Sequence, residues 1–424
     1  MSATPRRALV AAAAGNFIEW YEFAVYGFLA SLMARHFFQL AGVTPLTAML
    51  LTWASFAIAF FFRPLGALLF GRLGDRYGRR PTLIAVLVLM TLTTSAIGLL
   101  PTWSTLGVAA PLLLTLLRIL QGVFAGGEFG GAVALMTEYA PPGRRGYYGA
   151  WQSFTVALGL LGGIAVVALL AWTLGEAALY AGAWRIPFLL ALPLGAVALW
   201  LRLHLPETPT FSAQQQADPP PRRPSVSDTL RTLALGMGRL MIWSAAGYTF
   251  LVIMPGYLQT SLHAGLRTAL LLALLSNLGF ALTILPAGWL SDRLGRRRVM
   301  VTAAVILLLL TLPLLKVLQA DVPLLWKGLA VMLAGAVVGM LAGPGPAMLA
   351  EMFPTRVRFT GLGLTYSLSN ALFSGCAGLI ITALVRQTGY LDMPAWYVMV
   401  TALISIAALM TLRPDDHRRP LRER

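Results

Sequence analysis

Charged residues are scarce in this sequence. They make up 11% of its 424 residues, whereas a soluble protein of this size has roughly a quarter. Hydrophobic residues make up 58%. Because a membrane-spanning helix needs about 20 mainly apolar residues, the composition excludes an ordinary soluble protein and leaves room for roughly a dozen membrane-spanning helices.

Cysteine, histidine and the motifs of the main enzyme classes are also scarce or absent. The single cysteine, Cys376, excludes an intrachain disulfide, and no group of Cys and His has the spacing of a metal site. The sequence has no P-loop, no nucleotide-binding domain and no arguable Ser-His-Asp arrangement. We therefore predict that the protein is neither an enzyme nor an ATP-driven pump, and that it uses no cofactor and no metal.

Apolar segments separated by Pro, Gly and charge clusters predict twelve membrane spans. Every backbone N–H and C=O in the bilayer core must be satisfied within the protein, so we expect each span to be a helix. The spans lie near 9–35, 48–70, 81–100, 107–137, 147–173, 184–203, 232–259, 266–290, 299–317, 324–350, 359–385 and 394–412.

The basic residues are concentrated in alternate loops. A net charge of +16 could indicate nucleic-acid binding, but cytoplasmic loops of membrane proteins carry an excess of Lys and Arg. We therefore predict a multi-pass protein of the bacterial cytoplasmic (inner) membrane, with both termini in the cytoplasm and no nucleic-acid partner.

The longest polar segment, 204–231, is rich in Pro, Gln and Arg. Such a composition cannot bury a core, so it predicts a flexible cytoplasmic linker. The linker divides the chain into an N-terminal six-helix bundle (1–203) and a C-terminal six-helix bundle (232–412). A cytoplasmic tail (413–424) follows.

Two loops repeat. Segment 71–80 reads GRLGDRYGRR and segment 288–297 reads GWLSDRLGRR, and Glu-x-x-Pro occurs near the matching inner helix ends of both halves. The aspartates could cap a helix N-terminus or accept from arginine between the halves, which predicts a gate; the alternative is a set of topology anchors. The predicted gate comprises Gly71, Asp75, Arg76, Gly78, Arg79, Arg80, Glu138, Asp292, Arg293, Arg296, Glu351 and Arg356.

These loops resemble the signature of the major facilitator superfamily. Further segments resemble its metabolite–proton symporter family: 15–30 (GNFIEWYEFAVYGFLA), 118–132 (RILQGVFAGGEFGGA), 184–188 (WRIPF), 206–209 (PETP) and 350–358 (AEMFPTRVR). The resemblance implies an all-α membrane protein with 12 helices in two pseudo-symmetric bundles, working by alternating access. Members of that family carry proline or glycine betaine, citrate, α-ketoglutarate or shikimate with protons.

Three carboxyl groups lie within the predicted spans. An ionisable group at mid-bilayer costs about 2.5–3.5 kcal/mol or more, which suggests function. Glu19, Glu22 and Glu128 are therefore candidate proton carriers. Two buried carboxyls three residues apart disfavour each other's charge, so we expect Glu19 or Glu22 to hold a proton nearer neutral pH. The alternatives are an ion pair with Arg63 or Arg118, or, for Glu128, with a neighbouring helix.

A buried arginine and several polar or aromatic residues form a predicted substrate site. Arg118 could bind a substrate carboxylate with two hydrogen bonds, or it could be a structural partner of Glu19 or Glu22. Arg63 is expected to extend toward the cytoplasm, and Arg185 to anchor an outer helix end. The predicted substrate-binding residues are Asn16, Tyr26, Arg118, Gln121, Trp151, Gln152, Tyr248, Tyr366 and Asn370. The aromatic and amide side chains could instead mark membrane interfaces or helix contacts.

These observations predict a proton-coupled secondary active symporter that imports a small organic acid or zwitterionic metabolite. Its partners would be the substrate, protons and membrane lipid, and we expect a monomer. Proton-driven efflux of a metabolite or drug is the alternative. It is disfavoured because exporters of the superfamily commonly have a Gly-Pro signature in the fifth helix, whereas Gly159, Gly162 and Gly163 stand here without proline.

Overall fold

The computed structural model describes residues 3–39, 42–77, 79–138, 140–204, 226–353 and 355–418, and side chains for most of them. Almost all of these residues are helical, and no strand occurs among them. We number the membrane helices α1 to α12. The N-terminal half contains α1 (Ala3–Phe28), α2 (Pro45–Phe61 and Arg63–Tyr77), α3 (Arg79–Leu99), α4 (Ala109–Ala125 and Phe129–Glu138), α5 (Arg145–Thr173) and α6 (Arg185–Leu189 and Ala191–Leu203).

The C-terminal half repeats this arrangement. It contains α7 (Val226–Tyr248, Thr249–Ile253 and Met254–Ser261), α8 (Leu266–Leu294), α9 (Arg296–Gln319), α10 (Leu324–Ala342 and Gly345–Met352), α11 (Thr355–Ser369, Asn370–Gly375 and Ala377–Thr388) and α12 (Met393–Leu409). Helix α7 begins at Val226, inside the predicted linker; the rest of that linker, apart from His204, lies outside the described residues.

The helices match the length that a bilayer requires. Within the described part of the chain, ten helices are long and apolar enough to cross a membrane, and α12 is a shorter apolar helix. Helix α1 has 26 residues, which is long enough to cross a bilayer, but it contains Glu19 and Glu22 and is not among those ten apolar helices. The prediction of an all-helical, multi-pass protein with two six-helix halves is confirmed.

Glycines allow helices to approach closely at equivalent places in the two halves. A methyl group on Gly122 of α4 would overlap the backbone carbonyl of Ala59 on α2. A methyl group on Gly335 of α10 would likewise overlap the carbonyl of Ser276 on α8. Small residues at helix contacts are typical of membrane proteins, where van der Waals packing replaces the hydrophobic effect as a driving force.

In the described part of the chain, α7 and α11 each contain a π-helical turn next to the interface between the halves. In α7 the turn spans Thr249–Ile253, and in α11 it spans Asn370–Gly375. A π-turn adds a residue to the local helical repeat and often marks a functional site. Here the turns place Tyr248 and Asn370 beside the same cavity between the halves.

The two halves are in contact at both ends of the bundle. At the end that carries segments 71–80 and 288–297, the repeat end, the backbone N–H of Gly146 donates to Asp292 Oδ1 at 2.7 Å. At the opposite end, Ser31 Oγ donates to Gln259 Oε1 at 3.0 Å, and Arg267 Nε donates to the carbonyl of Ala171 at 3.1 Å. The structure is therefore closed at both ends.

Candidate functional site

A small cavity of about 30 Å³ lies between the two halves. A water molecule needs roughly 10–15 Å³ by this kind of measure, so the closed state has room for little more than water. The cavity is lined by Trp20, Ser153, Val156, Leu160, Trp243, Ser244, Gly247, Tyr248, Leu251, Val252, Phe280, Tyr366 and Asn370.

Three of the predicted substrate-binding residues line this cavity. Tyr248, on α7, has a buried hydroxyl without a hydrogen-bond partner among the described residues. Asn370 donates to the carbonyl of Tyr366 at 2.9 Å, and its side-chain oxygen accepts from Ser374 Oγ at 2.8 Å. The amide is thus fixed by α11 itself.

The cavity wall is mainly apolar, and five of its thirteen residues are aromatic. The ring centroids of Trp20 and Tyr248 lie 6.2 Å apart, and those of Trp243 and Tyr366 lie 6.0 Å apart. Phe129 of the N-terminal half stacks on Tyr366 of the C-terminal half at 3.5 Å. Aromatic faces attract ammonium groups, so this wall suits a substrate with a positively charged nitrogen.

Sequence reasoning missed several residues of the cavity wall, among them Trp20, Ser153, Trp243 and Ser244. A signal for two of them was available, because Trp243, Ser244 and Tyr248 are spaced to share one face of α7. Trp20 directly follows the candidate acid Glu19 in the sequence, and Ser153 directly follows the candidate amide Gln152.

Three predicted substrate-binding residues, Asn16, Tyr26 and Trp151, are engaged in other contacts, and the side-chain Nε2 of a fourth, Gln152, is buried without a partner among the described residues. Asn16 donates to the carbonyl of Gln152 at 3.1 Å and to Thr155 Oγ1 at 2.7 Å, which joins α1 to α5. The Tyr26 hydroxyl lies 2.5 Å from Ser55 Oγ. Trp151 packs edge-on against Phe154. None of these side chains lines the cavity described above, so their role as ligands stays a prediction.

The buried carboxyl groups differ in their partners. Glu19 forms an ion pair with Arg63, whose Nη2 lies 3.3 Å from Glu19 Oε1. Glu128 forms an ion pair with Arg202, which also donates to the carbonyl of Leu83 at 2.7 Å. Both pairs join helices within the N-terminal half. This is the ion-pair alternative to proton carriage that the sequence left open for these residues.

The expectation that Arg63 extends toward the cytoplasm is wrong. Its side chain is only 2% exposed. The guanidinium lies over the rings of Trp20, Phe23 and Phe60, at 5.4, 4.3 and 4.6 Å from their centroids. The Glu19 carboxylate and these rings stabilise the charge inside the protein, so it has no need to reach the membrane surface.

Arg185 behaves as predicted. Its guanidinium lies 4.4 Å from the centre of the Trp184 ring and donates to the carbonyls of Gly98 and Leu100 at 2.9 and 2.6 Å. These bonds tie the start of α6 to the end of α3.

Glu22 has no cation within ion-pair distance among the described residues. Its carboxyl is fully buried. Thr94 Oγ1 donates to Glu22 Oε2 at 2.9 Å, and Glu22 Oε1 has no partner in this part of the structure. Glu22 is therefore the buried acid of α1 whose charge is not balanced by a neighbouring arginine.

Arg118 is equally unusual among the buried bases. It is fully buried, and no carboxylate of the described residues lies within ion-pair distance, so the expected alternative of a pair with Glu19 or Glu22 is not formed. Its Nη1 donates to Gln121 Oε1 at 2.5 Å, while Nε and Nη2 have no partner among the described side chains. The guanidinium lies over the rings of Phe23, Tyr26 and Phe56 at 4.9, 4.3 and 5.1 Å.

Among the predicted gate residues, the contacts that the structure describes are those of the C-terminal repeat. Asp292 accepts from the backbone N–H of Gly146 and of Tyr147, at 2.7 and 2.9 Å, at the N-terminus of α5 in the other half. Arg296 donates to Asp292 at 2.7 Å and to Glu351 at 3.1 Å. A carboxylate at a helix N-terminus is stabilised by the free N–H groups and the helix dipole, so Asp292 holds the two halves together.

Other members of the predicted gate lie apart from this contact or outside the described side chains. Arg293 covers the ring of Trp289, with its guanidinium 3.9 Å from the ring centre. The structure does not describe the side chains of Asp75, Arg76, Arg79, Arg80, Glu138 and Arg356. The surroundings of Gly71 and Gly78 also lie outside what it describes.

Comparison with known families identifies both halves. The family described as "Sugar (and other) transporter" matches residues 7–223, and the family described as "Major Facilitator Superfamily" matches residues 237–424. A crystal structure of a D-xylose-proton symporter superposes with a TM-score of 0.78 and covers 99% of this chain and 100% of that one. At 19% identity, this likeness establishes the fold alone.

Several transporters are similar over almost the whole chain. The proline/betaine transporter of Escherichia coli K12 is 35% identical over 430 residues, covering 98% of this chain and 85% of that protein. The alpha-ketoglutarate permease of the same organism is 35% identical, covering 97% and 95%. The citrate-proton symporter of Salmonella typhi is 33% identical, covering 96% and 93%. The chain is therefore a secondary transporter of the major facilitator superfamily and belongs to its metabolite–proton symporter family.

Proposed function

We propose that the protein imports a small zwitterionic metabolite or organic acid together with a proton, by alternating access. Glu22 carries the proton, and Arg118 binds the carboxylate of the substrate. One observation carries the proposal: Glu19 and Glu128 are neutralised by arginines, whereas Glu22 and Arg118 are the buried acid and base of the N-terminal half that have no charged partner among the described residues.

The surroundings of Glu22 support a proton-carrying role. A buried carboxylate without an ion pair is costly, since it loses its hydration and receives a neutral hydrogen bond, from Thr94, in place of a cation. Binding of a proton removes that cost. Glu19 and Glu128 are less suited to this role because protonation of either acid would leave a buried arginine without its counter-ion.

The surroundings of Arg118 support carboxylate binding. Two of its nitrogens, Nε and Nη2, have no partner among the described residues, and they lie on the side of the guanidinium that forms paired bonds with a carboxylate. The Phe56 ring beside Arg118 lies 6.2 Å from the ring of Tyr248, which lines the cavity. A substrate would reach Arg118 from the cavity when these rings move apart.

The aromatic wall of the cavity favours a zwitterion over a simple organic acid. A carboxylate at Arg118 and an ammonium group facing Trp20, Trp243 and Tyr248 would use both features. The similarity to the proline/betaine transporter points to the same class of substrate. Similarity to the alpha-ketoglutarate permease and the citrate-proton symporter keeps organic acids as the second class.

The contacts of Asp292 support a gating role for the repeat end. Opening of this end requires loss of the two bonds from Gly146 and Tyr147. A substrate could therefore leave at the repeat end only after these bonds break. The bond between Ser31 and Gln259 would keep the opposite end closed during this step.

The first experiment is a thermal-shift screen of the purified protein with glycine betaine, proline, α-ketoglutarate and citrate. A substrate should raise the melting temperature, because it binds the folded state. Uptake of the radiolabelled compound is then measured in proteoliposomes with an imposed inward proton gradient. The proposal requires accumulation that a protonophore abolishes.

Glu22→Gln separates proton coupling from binding. The amide cannot take up the coupling proton, so gradient-driven accumulation should be lost while exchange of labelled for unlabelled substrate continues. Full accumulation by this variant would exclude Glu22 as the carrier. Comparison of inverted with right-side-out vesicles decides between import and efflux.

A further inference from the structure

A continuous chain of hydrogen bonds joins Arg118 to Glu22 across three helices. Arg118 Nη1 of α4 donates to Gln121 Oε1 at 2.5 Å. Gln121 Nε2 donates to Thr94 Oγ1 of α3 at 2.6 Å. Thr94 Oγ1 donates to Glu22 Oε2 of α1 at 2.9 Å. All four side chains are fully buried.

Arginine fixes the direction of every bond in this chain. A guanidinium has only donors, so the Gln121 oxygen must face Arg118 and the Gln121 amide hydrogens must face Thr94. Thr94 Oγ1 accepts one of these hydrogens and directs its own single hydrogen to Glu22 Oε2. The oxygen of Glu22 that remains free to take a proton is therefore Oε1, which has no partner among the described residues.

We propose that Thr94 and Gln121 are positioning residues that couple a carboxylate bound at Arg118 to the proton on Glu22. This inference rests on the proposed function, because it assumes that substrate binds Arg118 and that Glu22 carries the proton. Neither Thr94 nor Gln121 needs to take up or release the proton itself. Their role is to transmit the electrostatic effect of the substrate carboxylate from Arg118 to Glu22.

The coupling follows from charge balance. Without substrate, the positive charge of Arg118 is connected to the Glu22 carboxylate through the three hydrogen bonds, which polarise one another. A substrate carboxylate at Arg118 becomes its direct counter-ion, so the Glu22 charge is left uncompensated in a buried site. Glu22 then binds one proton at Oε1, forming one O–H bond and breaking none within the protein. One negative carboxylate and one proton are thus taken up together.

Among the groups around Glu22, the hydrogen-bond chain through Thr94 and Gln121 is what connects its carboxyl to an unpaired positive charge, that of Arg118. On α1 itself, Glu19 and Tyr21 are the nearest titratable groups. Helix α3 presents the hydroxyls of Thr91 and Thr94. From α2, Arg63 is paired with Glu19, and from α6, Arg202 is paired with Glu128.

Thr94→Val tests the chain because it removes the hydroxyl and keeps the shape of the side chain. The matched controls are Thr94→Ser, which keeps a hydroxyl, and Thr93→Val, which removes a hydroxyl that donates to the carbonyl of Leu89 one turn earlier on α3. For each protein, proton-gradient-driven accumulation of radiolabelled glycine betaine, and separately of α-ketoglutarate, is divided by the rate of substrate exchange.

Thr94→Val should lower this ratio by about tenfold, within the range of measured coupling free energies, and both controls should stay near the wild-type ratio. Substrate affinity should also lose its dependence on pH in Thr94→Val alone. A wild-type ratio in Thr94→Val would overturn the inference. If Thr94→Val does not fold, Gln121→Leu is tested instead, because it interrupts the same series of hydrogen bonds. This variant must then show the same decrease in the ratio of accumulation to exchange.

Failure of the proposed function gives a different result. If the wild-type protein accumulates neither probe under a proton gradient, the proposed function is wrong, whatever Thr94 does. If the wild type accumulates substrate and Glu22→Gln is uncoupled, but Thr94→Val behaves as the wild type, only the coupling chain is wrong.

Discussion

The two halves of the protein share one fold but differ in where they keep their charges. The N-terminal half holds Glu19, Glu22 and Glu128 inside its helices, together with the buried arginines Arg63, Arg118 and Arg202. The acidic residues of segment 232–412 are Asp292, Asp321, Glu351 and Asp392, all at helix ends or in loops. The C-terminal half instead contributes most of the cavity wall, through the aromatic, amide and hydroxyl groups of α7 and α11.

This difference shows that a repeated backbone does not require repeated chemistry. Each buried charge costs free energy that a partner must offset, so a single set of buried ionisable groups keeps this cost low, and the proposed function needs only one such set to couple a proton. Under the proposed function, the second half needs only to close around the substrate and to move. The loop copy at Asp292 already joins the halves, because Asp292 accepts from Gly146 and Tyr147 of the other half.

The largest effect on stability is expected from Glu128→Gln. Arg202 would lose its buried counter-ion between α4 and α6, which typically costs about 3–5 kcal/mol. The melting temperature of the purified protein in detergent should fall markedly. The control in the C-terminal half is Asp392→Asn, whose pair with Lys316 is partly exposed and should be worth less than about 1 kcal/mol. Equal shifts in both variants would contradict the contrast between the halves.

The next effect is expected from Arg118→Lys, measured as the affinity for labelled glycine betaine. Lysine keeps the charge but cannot form paired bonds with a carboxylate, and a hydrogen bond to a charged group is worth about 1.5–3 kcal/mol. Affinity should fall about tenfold to a hundredfold.

Arg239→Lys is the matched control for that variant, because Arg239 is buried in the C-terminal half and bonds to Thr411 and to the carbonyl of Ala408. Its affinity for the substrate should stay close to that of the wild type. Unchanged affinity in Arg118→Lys would remove Arg118 from the substrate site.

A smaller effect is expected from Asp292→Asn, measured as the rate of substrate exchange. The amide loses the negative charge at the N-terminus of α5, which is worth about 0.3–1 kcal/mol and up to roughly 2 in buried geometry. The closed repeat end is weakened, which disfavours one of the states through which the transport cycle passes, so turnover should slow several-fold while equilibrium affinity stays near the wild type. Asp75→Asn, in the other copy of the loop, should slow turnover in the same manner. Normal rates in both variants would leave the loops as topology anchors.

The smallest effect concerns the segment after α12. His417 is buried against the repeat end, where its carbonyl accepts from Arg145 Nη2 at 3.3 Å. Burial, followed by the nearby Arg296 charge, lowers the pKa of His417 below its usual value. The docked segment thus favours the neutral ring, and its stability is full above the unperturbed pKa of about 6.5 and falls as the pH drops through the lowered pKa.

Hydrogen exchange at residues 413–418, corrected for the intrinsic rate, should therefore increase at acid pH. His417→Phe cannot be protonated and serves as the control; its exchange should lose this dependence on pH. The same dependence in both proteins would show that His417 does not control docking.

Much of the site could be predicted because it lies within single helices. The spacing of Asn16, Glu19, Glu22 and Tyr26 indicates one buried face of α1, and all four side chains are buried in the structure. The repeated loops indicated a contact at helix N-termini, which Asp292 makes. Both inferences need only the helical repeat and the position of a residue along the chain.

Pairing between helices could not be predicted in the same way. Glu19 had two candidate partners, Arg63 and Arg118, and the choice depends on the rotation and depth of α1, α2 and α4 relative to one another. Those quantities are set by close contacts such as Gly122 on Ala59, which leave no mark in the spacing of either helix. The prediction for Arg63 failed for this reason.

The sequence by itself determined the membrane class, the helical architecture and the presence of buried acids and bases, because these follow from hydropathy, backbone satisfaction and helical periodicity. Only the tertiary structure decided which acid is neutralised by an arginine and which is left to Thr94. Ion pairs and hydrogen bonds act over about 3 Å, a precision that is reached only when packing fixes neighbouring helices against each other.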